Sequence, residues 1–338
     1  MALRSGQCPP LARHALRSGQ LLRRFVPLLS LLLLFPLPVY AGLPISAISD
    51  FRTVFQPFRP PSGVLQVVLR RFVRDGVPQA LLVNSLTLQT SVVPAASLDR
   101  LSPVALEALQ TTPYGRVLER YGTPPVLLQN HGLQHALGDH EGVFLTVDLC
   151  PSRKPLEREL FLALGKKAAR EGKPVPVALC VSGRWLEGHG EELAWLRDQE
   201  RAGSLAITWV NHSLTHPYDP ALPLERNFLL TAGTDLPREI LALEILLLER
   251  GLTPSPFFRF PGLVANGSAV AKLRELGLIP IGSDAWLAKG ELPRDGSIVL
   301  IHGNGNEPPG VRRFLQLLTE RPDLRLLPLP AAWAGGKP

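Results

Sequence analysis

From Gly142 onward, apolar runs of strand length alternate with longer stretches whose apolar positions recur at helical spacing. The runs are Val143–Asp148, Val175–Val181, Leu205–Asn211, Phe257–Phe260, Ile279–Gly282, Ile298–His302 and Leu324–Leu327. Helical patterns lie between them over Leu156–Glu171, Glu191–Ala202, Pro237–Arg250, Ala265–Leu276 and Val311–Glu320. This alternation predicts parallel strands covered by helices, hence an α/β sheet or barrel. Chemistry in such folds sits beyond the carboxyl ends of the strands, so the polar residues that close each run are the place to look.

Upstream the rhythm differs. Val64–Val73, the turn pair Asp75-Gly76 and Gln79–Leu88 predict a two-stranded hairpin, and Val104–Gln110 and Gly115–Tyr121 predict short helices. Residues 42–140 hold no chemical motif and are expected to form an N-terminal extension packed on a main domain at 141–330. Residues 1–24 are basic, Phe25–Pro38 form a short apolar block, and Val39-Tyr40-Ala41 follows. These are the three parts of a secretory signal, so 1–41 is expected to direct export to the periplasm or the exterior, the alternative being an uncleaved anchor. No later segment reaches spanning length, and no stable membrane span is expected once the leader is removed.

Composition refines this picture. With 45% hydrophobic and 19% charged residues, the 338-residue chain has material for a sizeable core and is not a disordered polyelectrolyte. The formal charge of +7 owes five arginines to residues 1–41, which contain no acid, so the remainder carries only +2 and predicts no nucleic-acid partner. Of three cysteines, Cys8 leaves with the leader; Cys150 and Cys180 each close an apolar run. One disulfide and two buried free thiols fit that placement equally, because geometry decides.

The residues at the run ends are Asp148, His212 and His216, Arg259, Asp284 with Trp286, and His302. Two histidines four apart on a helical turn after a strand can aim both rings at one point, an arrangement suited to zinc. Asp148 fits a general base, a ligand or a helix cap. Arg259, set among aromatics, needs a carboxylate if buried, and Asp148 or Asp284 can supply it. His302 can serve as a general acid if its pKa lies near neutrality.

Taken in order, these segments resemble the polysaccharide deacetylase family, carbohydrate esterase family 4, over roughly Gly142 to Leu327. Leu145–Ser152 (LTVDLCPS) is similar to the family's Thr-Phe-Asp-Asp-Gly-Pro motif, His212–His216 to His-Ser/Thr-x-x-His, Arg259–Gly262 to Arg-x-Pro, Ser283–Trp286 to the fourth motif, and Ile298–His302 to Leu-x-His. The resemblance implies a distorted (β/α) barrel and an exported hydrolase that removes acetyl groups from an N-acetylhexosamine-containing polysaccharide or oligosaccharide. His212 and His216 would hold a divalent metal, usually zinc, and Asp148 would be the base. Arg259 would fix that base, His302 would be the acid, Asp284 would tune His302, and Trp286 and Leu300 would wall the acetyl pocket.

One departure bears on all of this. The family's metal-ligating second aspartate falls on Leu149, followed by Cys150 where the family has glycine. Four outcomes stay open: Asp148 ligates, the Cys150 thiolate substitutes, two histidines and waters suffice, or hydrolysis is lost. The retained Asp148, Arg259, Asp284 and His302 favour a working hydrolase, because charged groups are costly to keep in a buried site. The alternatives are a catalytically impaired glycan-binding protein on the same fold and a Cys150–His nucleophilic hydrolase.

Overall fold

The structure, a computed structural model, describes residues 45–333; the expected leader lies outside them. Five strands open the described region: β1 (Ile48–Arg59), β2 (Gln66–Arg74), β3 (Val77–Asn84), β4 (Thr90–Pro94) and β5 (Ser102–Pro103), followed by α1 (Pro113–Gly122). The alternating region then runs β6 (Phe144–Leu149), α2 (Arg158–Glu171), β7 (Val175–Val181), α3 (Gly183–Gly188), α4 (Gly190–Arg201), β8 (Leu205–Asn211), α5 (Leu236–Glu249), β9 (Pro254–Phe258) and α6 (Gly267–Glu275). It closes with β10 (Ile279–Pro280), β11 (Ala285–Trp286), β12 (Ile298–His302) and α7 (Pro308–Glu320).

The first five strands make an antiparallel sheet in the order β4-β3-β2-β1-β5; the rest make a seven-stranded sheet in the order β10-β9-β8-β7-β6-β12-β11, parallel throughout. The expected α/β architecture is therefore present. Side chains alternate across the sheet, as the period of two requires. Leu145, Val147 and Leu149 of β6 join Val177 and Leu179 of β7 in a core with Leu160, Phe161 and Leu164 of α2. Phe144, Ala178, Cys180, Val210, Phe257 and Ile279 point the other way, into a second core shared with Val67, Leu69 and Tyr114 of the N-terminal region and with Trp333.

The expected hairpin is β2–β3, and the two short helices are a 3-10 turn at Leu106–Leu109 and α1. The long strand β1 escaped the sequence reading because two irregularities in its pairing with β2, between Ser49 and Arg52 and between Thr53 and Gln56, break the alternation of its side chains. Leu324–Leu327 is not a strand: Leu326 makes one isolated bridge to Val143, and Leu324 and Leu326 pack as core side chains. Among the described residues no helix is long and apolar enough to cross a membrane.

Candidate active site

Strand register assembles the site. β12 pairs with β6 so that His302 lies beside Asp148, β6 with β7 so that Asp148 lies beside Cys180, and β7 with β8 so that Val181 lies beside Asn211, the residue before His212. The carboxyl ends of four adjacent strands thus meet at one lip. A cavity of about 410 Å³ opens there, lined among others by Asp148, Cys150, His212, His216, Leu300 and His302.

Asp148 lines the cavity, and Arg259 lies buried beside its carboxylate. Arg259 is fully buried; Nη1 stands 3.4 Å from Asp148 Oδ1, and Nη2 donates to Thr146 Oγ1 at 2.9 Å and to the Gly282 carbonyl at 3.2 Å. Burial alone would raise the pKa of Asp148, but the charge of Arg259, then His212 and His302, outweighs it and holds the carboxyl below its ordinary range. The Cys180 thiol adds a hydrogen bond to that carboxylate; burial first, then Asp148, pushes Cys180 well up, so it stays protonated.

His212 and His216 do not sit on a helical turn. The backbone after β8 is an irregular loop with positive φ at Ser213 (67°) and His216 (47°). Asn211 accepts from the Ser213 N–H, while Glu239 accepts from the Thr215 N–H and hydroxyl. That loop still brings the two rings to 4.7 Å between centroids. His212 Nδ1 lies 2.7 Å from the Arg259 carbonyl, which leaves Nε2 facing the cavity, 3.8 Å from Asp148 Oδ2 and 3.4 Å from Cys150 Sγ.

Cys150 and Cys180 are both free. The register explains the absence of a disulfide: Cys180 is opposite Asp148, and Cys150 turns toward the histidines. Ligand atoms of Cys150, His212 and His216 lie within 4.8 Å of one another. A thiol and two imidazoles are donors that a borderline ion such as zinc accepts, so the residues present fit the metal that the sequence motifs imply. Leu149, where an aspartate was expected, is on the opposite face of β6 and fully buried in the helix-side core.

On the far wall, His302 Nδ1 lies 2.8 Å from Glu307 Oε2, an ion-pair contact rather than an aligned hydrogen bond. Burial works against the imidazolium, but Cys150 and Glu307 prevail and lift the His302 pKa well above its usual value. Trp286 donates from Nε1 to the same Glu307 oxygen at 2.8 Å and lies with its ring 6.0 Å from His302. Trp286 and Leu300 both line the cavity.

Asp284 does not reach His302. Its Oδ2 meets His135 Nδ1 at 2.7 Å and the Ser297 hydroxyl at 3.3 Å, and its Oδ1 accepts from the Ile298 N–H at 3.0 Å. Ile298 opens β12 and His302 closes it, so roughly 13 Å of strand lies between the carboxylate and the imidazole. The carboxylate at His302 is Glu307, which sequence reading missed: it follows Gly303–Asn306, outside any apolar run, and only its spacing from His302 marked it.

No family model matches the chain. Solved structures similar to it include a family 4 carbohydrate esterase from Bacillus anthracis, 18% identical over 66% of this chain and 92% of that one, with a TM-score of 0.46. The chitin deacetylase from the fungal pathogen Colletotrichum lindemuthianum is 16% identical over 63% and 95%, with a TM-score of 0.43. A family 4 pseudoenzyme from Bacillus anthracis is 13% identical over 61% and 70%, with a TM-score of 0.41.

Proposed function

We propose that this chain is an exported metal-dependent hydrolase that removes acetyl groups from an N-acetylhexosamine-containing polysaccharide. The observation that carries the reading is the register of β12 against β6, which sets Asp148 and His302 side by side at a cavity where two imidazoles converge. Amide hydrolysis needs both functions: a base for water and an acid for the departing nitrogen.

His212 and His216 would hold the divalent ion, zinc by preference, whose chemistry there is to polarise an acetyl carbonyl and lower the pKa of a water. Asp148 takes the proton of the attacking water. Arg259 keeps that carboxylate ionised and fixed in direction. His302 gives its proton to the leaving amine, with Glu307 in place of Asp284 as the carboxylate that favours the charged ring. The apolar walls, Leu263, Trp286 and Leu300, suit a methyl group.

The test is acetate release from acetylated hexosamine oligomers by the zinc-loaded protein. His302→Ala is expected to lower turnover by about 10²–10⁴-fold, the usual contribution of a general acid. Oligomer binding with no acetate from the unaltered protein would instead mark a glycan-binding protein.

A further inference from the structure

Leu149 takes no part in the site, and the question of what completes it is answered by strand parity. Phe144 and Cys180 mark the inner face of the sheet, Asp148 lies on that face with Thr146, and the next position of that parity after Asp148 is Cys150. We infer that Cys150 is the third protein ligand of the metal, making the centre a thiolate–diimidazole site rather than a carboxylate–diimidazole one. The inference rests on the reading of His212 and His216 as metal ligands.

Four observations converge on it. The first is distance: a tetrahedral ion with Zn–S near 2.3 Å and Zn–N near 2.05 Å separates sulfur and nitrogen by about 3.5 Å. Cys150 Sγ and His212 Nε2 stand 3.4 Å apart. The second is ligand orientation. His212 is held through Nδ1 by the Arg259 carbonyl, the support that metal-binding imidazoles commonly receive and that leaves Nε2 to the ion. The third is anchoring of the cysteine itself: Asn304, fully buried, donates from Nδ2 to the Cys150 carbonyl at 2.7 Å and so fixes the backbone that carries the sulfur.

The fourth is charge and number. A thiolate brings the same single negative charge as the missing aspartate, so the substitution leaves the charge of the ligand set unchanged. Two imidazoles converge on the one sulfur, whereas a cysteine nucleophile requires a single base. The other mature cysteine is excluded, since Cys180 is turned to Asp148 and kept as a thiol by burial. A sulfur ligand also sets the metal class: zinc or cobalt in preference to magnesium, calcium or manganese.

Cobalt(II) is the probe, because a thiolate bound to it gives a near-ultraviolet charge-transfer band that oxygen and nitrogen ligands do not. The metal-free full chain is titrated with Co²⁺ while bound metal is counted by equilibrium dialysis. The same is done for a full chain carrying Cys8→Ala and Cys180→Ala, whose only thiol is Cys150. Both are expected to take up one cobalt and develop the band together. Cys150→Asp is expected to keep the ion and lose the band. Bound cobalt without the band, or a band absent from the chain whose one thiol is Cys150 while its cobalt stays, would overturn the assignment and leave the two histidines as ligands. No bound cobalt in any chain would overturn the metal reading itself.

Discussion

Arg259 is the side chain with the least room to change. It is fully buried, and its guanidinium serves Asp148, Thr146 and the Gly282 carbonyl at once. Truncating one member of a buried pair leaves an uncompensated charge, so Arg259→Met is expected to cost about 3–5 kcal/mol, read from urea unfolding. His302 gives a prediction in pH. A histidine whose folded pKa is raised contributes stability that is fully present below about pH 6.5, its unfolded value, and is lost as pH rises through the folded value. In the metal-free protein, NMR titration of the His302 ring is expected to show that raised value, and Glu307→Gln to bring it down. Residues of this kind were legible to the extent that they close an apolar run: Asp148, His212, Arg259 and His302 do, and they meet. Asp284 also follows such a run, yet its partners come from the start of β12 and from His135, so nothing in the local sequence distinguished it from Glu307.

At the scale of elements, strand parity decides what a substitution means. Six of the seven strands of the parallel sheet were visible as apolar runs because both faces are covered, which makes each strand a continuous block. The two-residue β11 was too short to show, and β1 was hidden by its irregular pairing. Motif matching placed the missing ligand at 149, whereas the fold sends 149 into the helices and returns 150 to the cavity. Leu149→Asp, which restores the letters of the motif, is therefore expected to add no ligand. It would bury a lone carboxylate against Val147 and Phe161 and destabilise by at least about 4 kcal/mol, with no gain in metal uptake by dialysis. The loop after β8 teaches the same lesson. The four-residue spacing of His212 and His216 was right and its helical cause was not, because the side chains of Asn211 at the end of β8 and Glu239 of α5 shape the turn by hydrogen bonds to its backbone.

Across the whole molecule, the two sheets are joined by charge as well as by apolar contact. Arg70 of β2 and Glu244 of α5, both buried, form a two-pronged pair at 2.6 and 2.9 Å, and Arg70 also donates to the Leu276 carbonyl. Arg70→Met is expected to cost about 3–5 kcal/mol, while Arg70→Met combined with Glu244→Leu should recover most of the loss, measured as a double-mutant cycle in urea. A pairing between residues 174 positions apart leaves no trace in local pattern, which is why residues 42–140 offered the sequence reading only a hairpin and two short helices. Its apolar side chains tell the rest: Val67, Leu69 and Tyr114 cover Phe144, Phe257 and Ile279 on the side of the strands away from α2. Trimming the chain to start near residue 141 would leave those strands with one naked oily wall and Glu244 with a stranded charge. The smallest piece of this protein that can be handled in solution in the laboratory therefore has to begin ahead of β1, and the stretch that held no motif is what keeps the parallel sheet from clumping.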